Sequence, residues 1–350
     1  MGRTKVAIVY EKATTWGGAE RLLLNLADMF PQADLFVSLY YPDKAAWAAR
    51  FAQVKTSVWN MFSRLRFLPP ELWLALDWHM FTRFDFSDYD LVISVSSYQA
   101  KYLITPVGVK HVNYCLSPTR YLWSERSRYA WQQWWADRRV SDQYSAWLAD
   151  QVLTLSHLVR RRIKKYYGRD ATVIYPGVEV EQFDYQDQKQ NFFLLVSRLV
   201  DYKRVDLAIA AAQKLGVRLV IVGTGPARKK LQRLAAGAAE IEFAGHVSER
   251  QLKQYYAAAK AVIMPQIEDF GLVGLEAWAS GTPVVTHSDS GFAELDPKQM
   301  FTVQFNHQTV DSLAQAIEQL QSRKWDYAAI RQAATQYDWQ QFKQKFLAQI

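Results

Sequence analysis

The chain has 350 residues, half of them hydrophobic, with 42 Lys and Arg against 34 Asp and Glu and a single cysteine, Cys115. That length predicts two domains with sizeable cores; one cysteine excludes an intramolecular disulfide and fits a reducing compartment, no apolar run reaches the ~18 residues of a spanning helix, and the first residues enter a strand without a secretory leader. The charge is uneven, because residues 1–178 hold 23 Lys/Arg against 15 Asp/Glu and 10 of the 13 tryptophans, whereas residues 179–350 hold 19 against 19.

Residues 5–10 read as an apolar strand, followed by Thr14-Thr15-Trp16-Gly17-Gly18-Ala19-Glu20 and an amphipathic helix over residues 21–29. Strand, glycine loop and helix make the first unit of a doubly wound fold. The loop lacks the full dinucleotide fingerprint and serves equally as a tight turn or a ligand-approach loop. Residues 35–39 supply a second strand. Residues 59–84 contain a helix opened by Pro69-Pro70 in which apolar residues far outnumber polar ones, suited to shallow bilayer insertion, to a lipid groove or to a core. His79 within it has no second metal-type residue at i+3 or i+4 and is read as a core or surface histidine.

Asp88-Tyr89-Asp90 has the spacing of a metal-ligand pair but leads into the strand 91–96. It therefore belongs to a turn at the amino end, away from where ligands bind in open α/β sheets. The strand 111–114 ends in Cys115-Leu116-Ser117-Pro118-Thr119-Arg120-Tyr121-Leu122-Trp123, and Arg120 leaves its carboxyl end, placed to meet a phosphate. The Trp-, Arg- and Gln-rich segment to Trp147 is read as helical. A strand at 152–155, an N-cap at Ser156 and a very basic helix over 158–167 follow. A strand at 173–175 then reaches a boundary at Pro176-Gly177, with the polar run 184–191 as a hinge.

The second half repeats the rhythm. A strand at 192–196 runs into Ser197-Arg198-Leu199-Val200-Asp201-Tyr202-Lys203-Arg204 and a helix from near Val205. Arg198 and Lys203 leave the strand end together, and two cations there would neutralise a diphosphate and stabilise it as a leaving group. The strand 219–222 precedes Gly223-Thr224-Gly225-Pro226, a loop whose backbone can approach a ligand closely. A strand at 241–243, the turn Gly245-His246-Val247-Ser248, a helix 249–258 capped by Ser248 and a strand 261–264 come next. Then comes Pro265-Gln266-Ile267-Glu268-Asp269-Phe270-Gly271-Leu272, with Glu276 eight residues after Glu268. Gly271 opens a short helix that Gly281 and Pro283 close. Eight helical residues rise about 12 Å, so the two carboxylates can hold opposite ends of an elongated ligand with a phosphate on the helix N-terminus between them. Strands at 284–286 and 302–303 and a helical tail from Asp311, with Trp339 and Phe342 on a docking face, complete the chain.

In this order and spacing, Arg198 with Lys203, Gly223-Thr224-Gly225, Gly245-His246-Val247-Ser248 and the paired Glu268 and Glu276 resemble the retaining GT-B glycosyltransferases of the GT4 type (glycosyltransferase group 1). Gly17-Gly18-Ala19-Glu20-Arg21 resembles that family's first loop, and Tyr175-Pro176-Gly177-Val178 its inter-domain boundary. The resemblance implies an α/β fold of two Rossmann-like domains facing a central cleft. Residues 1–178 would bind the acceptor and residues 179–336 the nucleotide sugar, with a C-terminal helix over about 337–350 crossing back. Arg198 and Lys203 would bind the donor diphosphate, with backbone N–H groups near Phe270, Gly271 and Leu272. Glu268 would hold hydroxyls of the donor sugar and Glu276 those of the ribose, with the base near His246 and Val247. Gly17, Gly18, Gly223, Thr224 and Gly225 would also line the donor, and Arg120 and Tyr121 the acceptor. Transfer would retain configuration without a metal or other cofactor, the leaving phosphate taking the acceptor proton.

The segment 114–123 resembles a subgroup with bacterial GDP-mannose-dependent mannosyltransferases of surface polysaccharide assembly. Many of these carry histidine where this chain has Leu116, and leucine neither hydrogen-bonds a sugar nor moves a proton. The expected reaction is hexose transfer, mannose first, from GDP-mannose to a lipid-linked saccharide or other glycan. UDP- or ADP-sugar transfer, a GT-B nucleotide-sugar epimerase and a non-catalytic basic membrane- or RNA-binding module are the alternatives. The basic, Trp-rich half fits anionic lipid, giving a peripheral protein on the inner face of the plasma membrane. Nucleic acid is not the expected partner.

Overall fold

A strand buried on both faces reads as an unbroken apolar run, and the chain carries two series of such runs. A computed structural model describes residues 4–58, 60, 80–124 and 136–350. The chain divides into two compact units, Met1–Ile174 with Phe346–Ile350, and Tyr175–Lys345. Most of the apolar segment 59–84, with Pro69-Pro70 and His79, lies outside the described residues, as does 125–135 of the Trp-rich segment.

The first unit holds β1 (Val6–Ala13), β2 (Asp34–Tyr40), β3 (Val54–Thr56), β4 (Leu91–Ser96), β5 (Lys110–Cys115), β6 (Gln151–Thr154) and β7 (Thr172–Val173). They form one parallel sheet in the order β3-β2-β1-β4-β5-β6-β7. Its described α-helices are α1 (Gly18–Met29), α2 (Ala136–Ser145) and α3 (His157–Tyr167). The second unit holds β8 (Phe193–Val196), β9 (Leu219–Val222), β10 (Ile241–Gly245), β11 (Ala261–Met264), β12 (Val284–His287) and β13 (Thr302–Phe305). These are also all parallel, in the order β10-β9-β8-β11-β12-β13. Its helices are α4 (Val205–Leu215), α5 (Arg228–Leu234), α6 (Glu249–Ala258), α7 (Leu272–Ala279), α8 (Val310–Ser322), α9 (Tyr327–Ala334) and α10 (Trp339–Leu347), the last of which ends in the chain segment assigned to the first unit. There Phe346 is buried with its ring 6.3 Å from that of Tyr114 on β5.

Both sheets are Rossmann-like. Winding reverses between β1 and β4 and again between β8 and β11, and in such sheets ligands bind outside the strand carboxyl ends at the reversal. The core of the second unit packs α4 and α8 on the sheet through Leu207, Ala208, Ala211, Leu313, Ile317 and their neighbours. Full burial of a large side chain there contributes about 1.5–3 kcal/mol.

Local signals explain most boundaries. Ser156 Oγ accepts the Val159 N–H at 3.1 Å to start α3, and Gly168 at φ +70° ends it. Ser248 and Gln251 make a capping box on α6. The helical tail is divided into three helices, with the side chains of Thr309 and Asp326 capping the starts of α8 and α9. The break between units falls after Ile174, ahead of the expected Val178. Val178 N–H donates to Tyr337 O at 2.8 Å, and a Cβ on Gly177 would lie 2.5 Å from Trp339 N, so both residues are tied into the second unit. The edge strand β3 carries no apolar run and escapes the sequence reading. Asp88-Tyr89-Asp90 forms a turn at the amino end of β4, where Asp90 accepts the Lys5 N–H at 2.7 Å and the Tyr89 hydroxyl donates to Asp34 at 2.6 Å. Among the described residues no helix is long and apolar enough to cross a membrane.

One polar ladder runs through the first core. Asn113 Nδ2 donates to Ser94 Oγ and Ser96 Oγ at 2.8 Å each, and Ser94 Oγ meets His111 Nε2 at 2.8 Å. Burial lowers the His111 pKa from 6.5 to about 4. The folded state therefore refuses a proton that the unfolded chain accepts below pH 6.5. Stability is undiminished above 6.5 and is lost between 6.5 and 4, by roughly 3 kcal/mol in all. Urea unfolding at pH 7 and pH 4.5 should show that loss in the wild type, and His111→Gln should flatten it relative to the wild type.

Candidate active site

At the carboxyl end of β8 the chain turns through Ser197 and Arg198 to a single 3₁₀ turn at Asp201–Lys203, with Arg204 left-handed at φ 52° before α4. At the carboxyl end of β11, the neighbouring strand, it runs through Pro265 to Gly271. These loops flank the reversal point. The Lys203 ammonium forms an ion pair with Glu268 Oε1, both side chains being 16% exposed. Gln266 Nε2 donates to the same oxygen at 2.5 Å. Glu268 is held from behind as well: its carbonyl accepts the Gly291 N–H at 2.9 Å, and its own N–H donates to Ser290 Oγ at 3.3 Å. Arg198 is exposed, its Nη2 donating to the Tyr202 hydroxyl at 2.8 Å.

Phe270 is buried with its ring stacked 5.9 Å from that of Tyr175, and Gly271 at φ +99° is the N-cap of α7. A Cβ there would lie 2.6 Å from Met264 Cε and 3.2 Å from Phe292 Cβ. Leu272 is the first residue of α7. Glu276 is buried inside the helix and accepts the Tyr256 hydroxyl at 2.6 Å. The expectation of eight helical residues between the glutamates is corrected, since Glu268 lies three residues ahead of the Gly271 cap and only the stretch from Leu272 is helical.

The glycines after β9 also need a different account. A Cβ on Gly223, at φ +137°, would lie 1.9 Å from Ser197 O, and one on Gly225 would lie 2.4 Å from Leu199 O. Leu199 N–H donates to Thr224 O at 2.9 Å. The close approach these glycines permit is to the Ser197–Leu199 backbone, so the loop acts as a buttress for the segment that carries Arg198. His246 is exposed and Val247 half-buried on the turn between β10 and α6.

The remaining candidates lie in the first unit. Gly17 is extended at φ −176°, a conformation open to any residue, and Gly18 begins α1. Arg120 and Tyr121 lie on the loop after β5, which is pinned on both sides of Arg120 by Asp142 of α2, a residue the sequence reading did not single out. Buried Asp142 pairs with Lys101 at 2.7 Å. It also accepts Thr119 Oγ1 at 2.8 Å, Trp123 Nε1 at 2.6 Å and the hydroxyls of Tyr167 (2.9 Å) and Tyr102. Burial and that carboxylate push both phenols well above their ordinary range. Glu11 is another omission: at the reversal between β1 and β4 it accepts the N–H groups of Ser97 (2.7 Å) and Tyr98 (2.9 Å), and burial pushes its carboxyl up.

Against known families, residues 178–337 match the profile described as Glycosyl transferases group 1, and residues 16–182 match Glycosyltransferase Family 4. The chain belongs to the group 1 (GT4) glycosyltransferases. Within this family it is 29% identical over 213 residues to a GDP-mannose-dependent alpha-(1-6)-phosphatidylinositol monomannoside mannosyltransferase of Mycobacterium tuberculosis, covering 52% of this chain and 54% of that one. It is 32% identical over 213 residues to a D-inositol 3-phosphate glycosyltransferase of Mycobacteroides abscessus, covering 53% and 46%. The chain spans about half the length of the curated relatives it matches. Anabaena HepE, in complex with UDP and glucose, superposes with a TM-score of 0.74 over 99% of both chains at 18% identity. A sucrose-phosphate synthase of Thermosynechococcus elongatus gives 0.71 over 98% of this chain and 97% of its own at 17%. The fold is accordingly GT-B.

A glycine whose absent side chain is replaced by a neighbouring carbonyl cannot be changed without moving backbone. Gly223→Ala should destabilise the GT4 chain by about 3 kcal/mol or more through strain and overlap. The urea midpoint checks this against that of Gly216→Ala, at a left-handed glycine with φ +61° whose Cβ would meet nothing within 4 Å.

Proposed function

We propose that the protein transfers a hexose from a nucleotide diphosphate sugar to a lipid-linked saccharide with retention of anomeric configuration. The observation that carries this reading is the meeting of Lys203 and Glu268, from neighbouring strand ends, just ahead of the Gly271 turn. In the reaction an acceptor hydroxyl bonds to the anomeric carbon, the bond from that carbon to the diphosphate breaks, and the departing phosphate oxygen takes the hydroxyl proton. Lys203 exchanges its ion pair with Glu268 for the diphosphate and, with Arg198, stabilises the charge that grows there. N–H groups of the first turn of α7 add to that cradle. Glu268 accepts hydrogen bonds from the hexose, Glu276 from the ribose, and the base lies near His246 and Val247. No metal or cofactor enters this scheme.

GDP-mannose is the favoured donor, supported by the mycobacterial GDP-mannose-dependent relative. A thermal-shift panel of GDP, UDP and ADP with their sugars tests it, because a ligand that binds the folded state raises its stability by mass action. One GDP-type response is expected, and a UDP-only response overturns the base assignment. Lys203→Ala and Glu268→Ala should each lower transfer about a hundredfold or more with circular dichroism unchanged. Calorimetry should show weaker binding of the free diphosphate in the lysine variant only. Full transfer in either variant removes that residue from the scheme.

The acceptor lipid brings the protein to the inner face of the plasma membrane in this reading. Val140, Tyr144 and Trp147, more than half exposed, recur at i, i+4 and i+7 on α2 and the turn after it. Next to α2 packs α3, with Arg161, Lys164 and Lys165 exposed. Aromatic and apolar groups beside cations suit anionic headgroups. The protein should sediment with phosphatidylglycerol vesicles and not with phosphatidylcholine vesicles, and a combined Tyr144→Ser and Trp147→Ser variant should lose most of that binding. Equal sedimentation of wild type and variant would exclude this surface.

A further inference from the structure

Glu268 is gripped on one side. Its Oε1 takes both the Lys203 ammonium and Gln266 Nε2, whereas Oε2 has no hydrogen-bond or ion-pair partner among the described residues. Gln266 stands two residues past the end of β11, 5% exposed. A carboxylate can only accept, so the amide must turn its nitrogen toward Glu268. That orientation strands the amide oxygen, which is buried with no hydrogen-bond partner among the described residues. A buried acceptor without a donor is unfavourable, so local stability does not account for a glutamine in this place. What the residue supplies is a second hold on one carboxylate oxygen.

We propose that Gln266 is a positioning residue that fixes Oε1 of Glu268 so that Oε2 faces the hexose of the donor, and that it alone holds the carboxylate once Lys203 has turned to the diphosphate. The inference rests on the glycosyl-transfer reading above and deepens it. It separates two parts of one ligand: the hexose is recognised through Gln266 and Glu268, while the nucleoside diphosphate is not.

Gln266→Leu keeps the approximate volume, removes the donor and removes the stranded oxygen. Its melting temperature should equal or exceed that of the wild type. Calorimetry with GDP and GDP-mannose, and with UDP and UDP-glucose in parallel, should show the sugar nucleotide bound about tenfold more weakly and the free diphosphate bound as before. A variant that weakens both ligands together with a lower melting temperature is merely structural, and one that binds both as the wild type does has no positioning role; either result overturns the proposal with the transfer reading intact. If the wild type binds neither pair, the transfer reading itself fails and takes the proposal with it.

Discussion

The divergence of β8 and β11 is the constraint on which the second unit depends. Because every strand of that sheet is parallel, each loop leaving a carboxyl end emerges on the same edge, however far apart the loops lie in sequence. Four of them carry the candidate site: the loop with Arg198 and Lys203, the Gly223–Gly225 loop, the turn at His246 and the loop with Gln266 and Glu268. The first three are packed against one another by backbone, and the fourth is joined to the first by the Lys203–Glu268 ion pair. Gly223 N–H donates to Gly245 O at 2.7 Å, and the two glycines of the β9 loop lie under the carbonyls of Ser197 and Leu199. On this edge a cation and a carboxylate 65 residues apart in the chain meet.

The same constraint explains what could be read from the sequence. Buried parallel strands announce themselves as apolar runs, so twelve of the strands described here are visible in the chain, and Ser156, Ser248 and Gly271 mark their helix ends without help from tertiary structure. The three-residue β3 does not, because an edge strand with half-buried Val54, Lys55 and Thr56 has no run to show. Gly223 and Gly225 illustrate a deeper ambiguity. A glycine that makes room is legible, but what comes into the room is not, and here it is the protein's own backbone. Asp142 was invisible for a different reason. Its worth lies in Lys101, Tyr102, Thr119, Trp123 and Tyr167, each drawn from another element, and nothing local distinguishes it from a solvated helix aspartate.

Helix α7 shows how the second unit holds its site in place from the far end. Two cations cap its carboxyl terminus: Arg331 Nη1 donates to Ala279 O at 2.5 Å, and Lys189 Nζ donates to Ser280 O at 3.0 Å. Arg331 also reaches Val180 O and Phe183 O, and Lys189 reaches Ala257 O at the end of α6 and Thr282 Oγ1. Burial pulls the Lys189 ammonium down to about 8, which still leaves it charged near neutrality. These cations neutralise the negative end of the helix dipole and offset the presence of Glu276 in the same helix. They also fasten the 180–189 segment to α7. At the other end the first turn carries no acidic residue and its cap, Gly271, has no side chain. The positive end has no side chain of its own helix to offset it, and Glu268, held by Lys203 and Gln266, stands three residues before the cap. In the proposed reaction a helix so polarised would orient the donor, because only one of its two directions places the diphosphate on the N–H groups of the first turn and the sugar hydroxyls on the carboxylate.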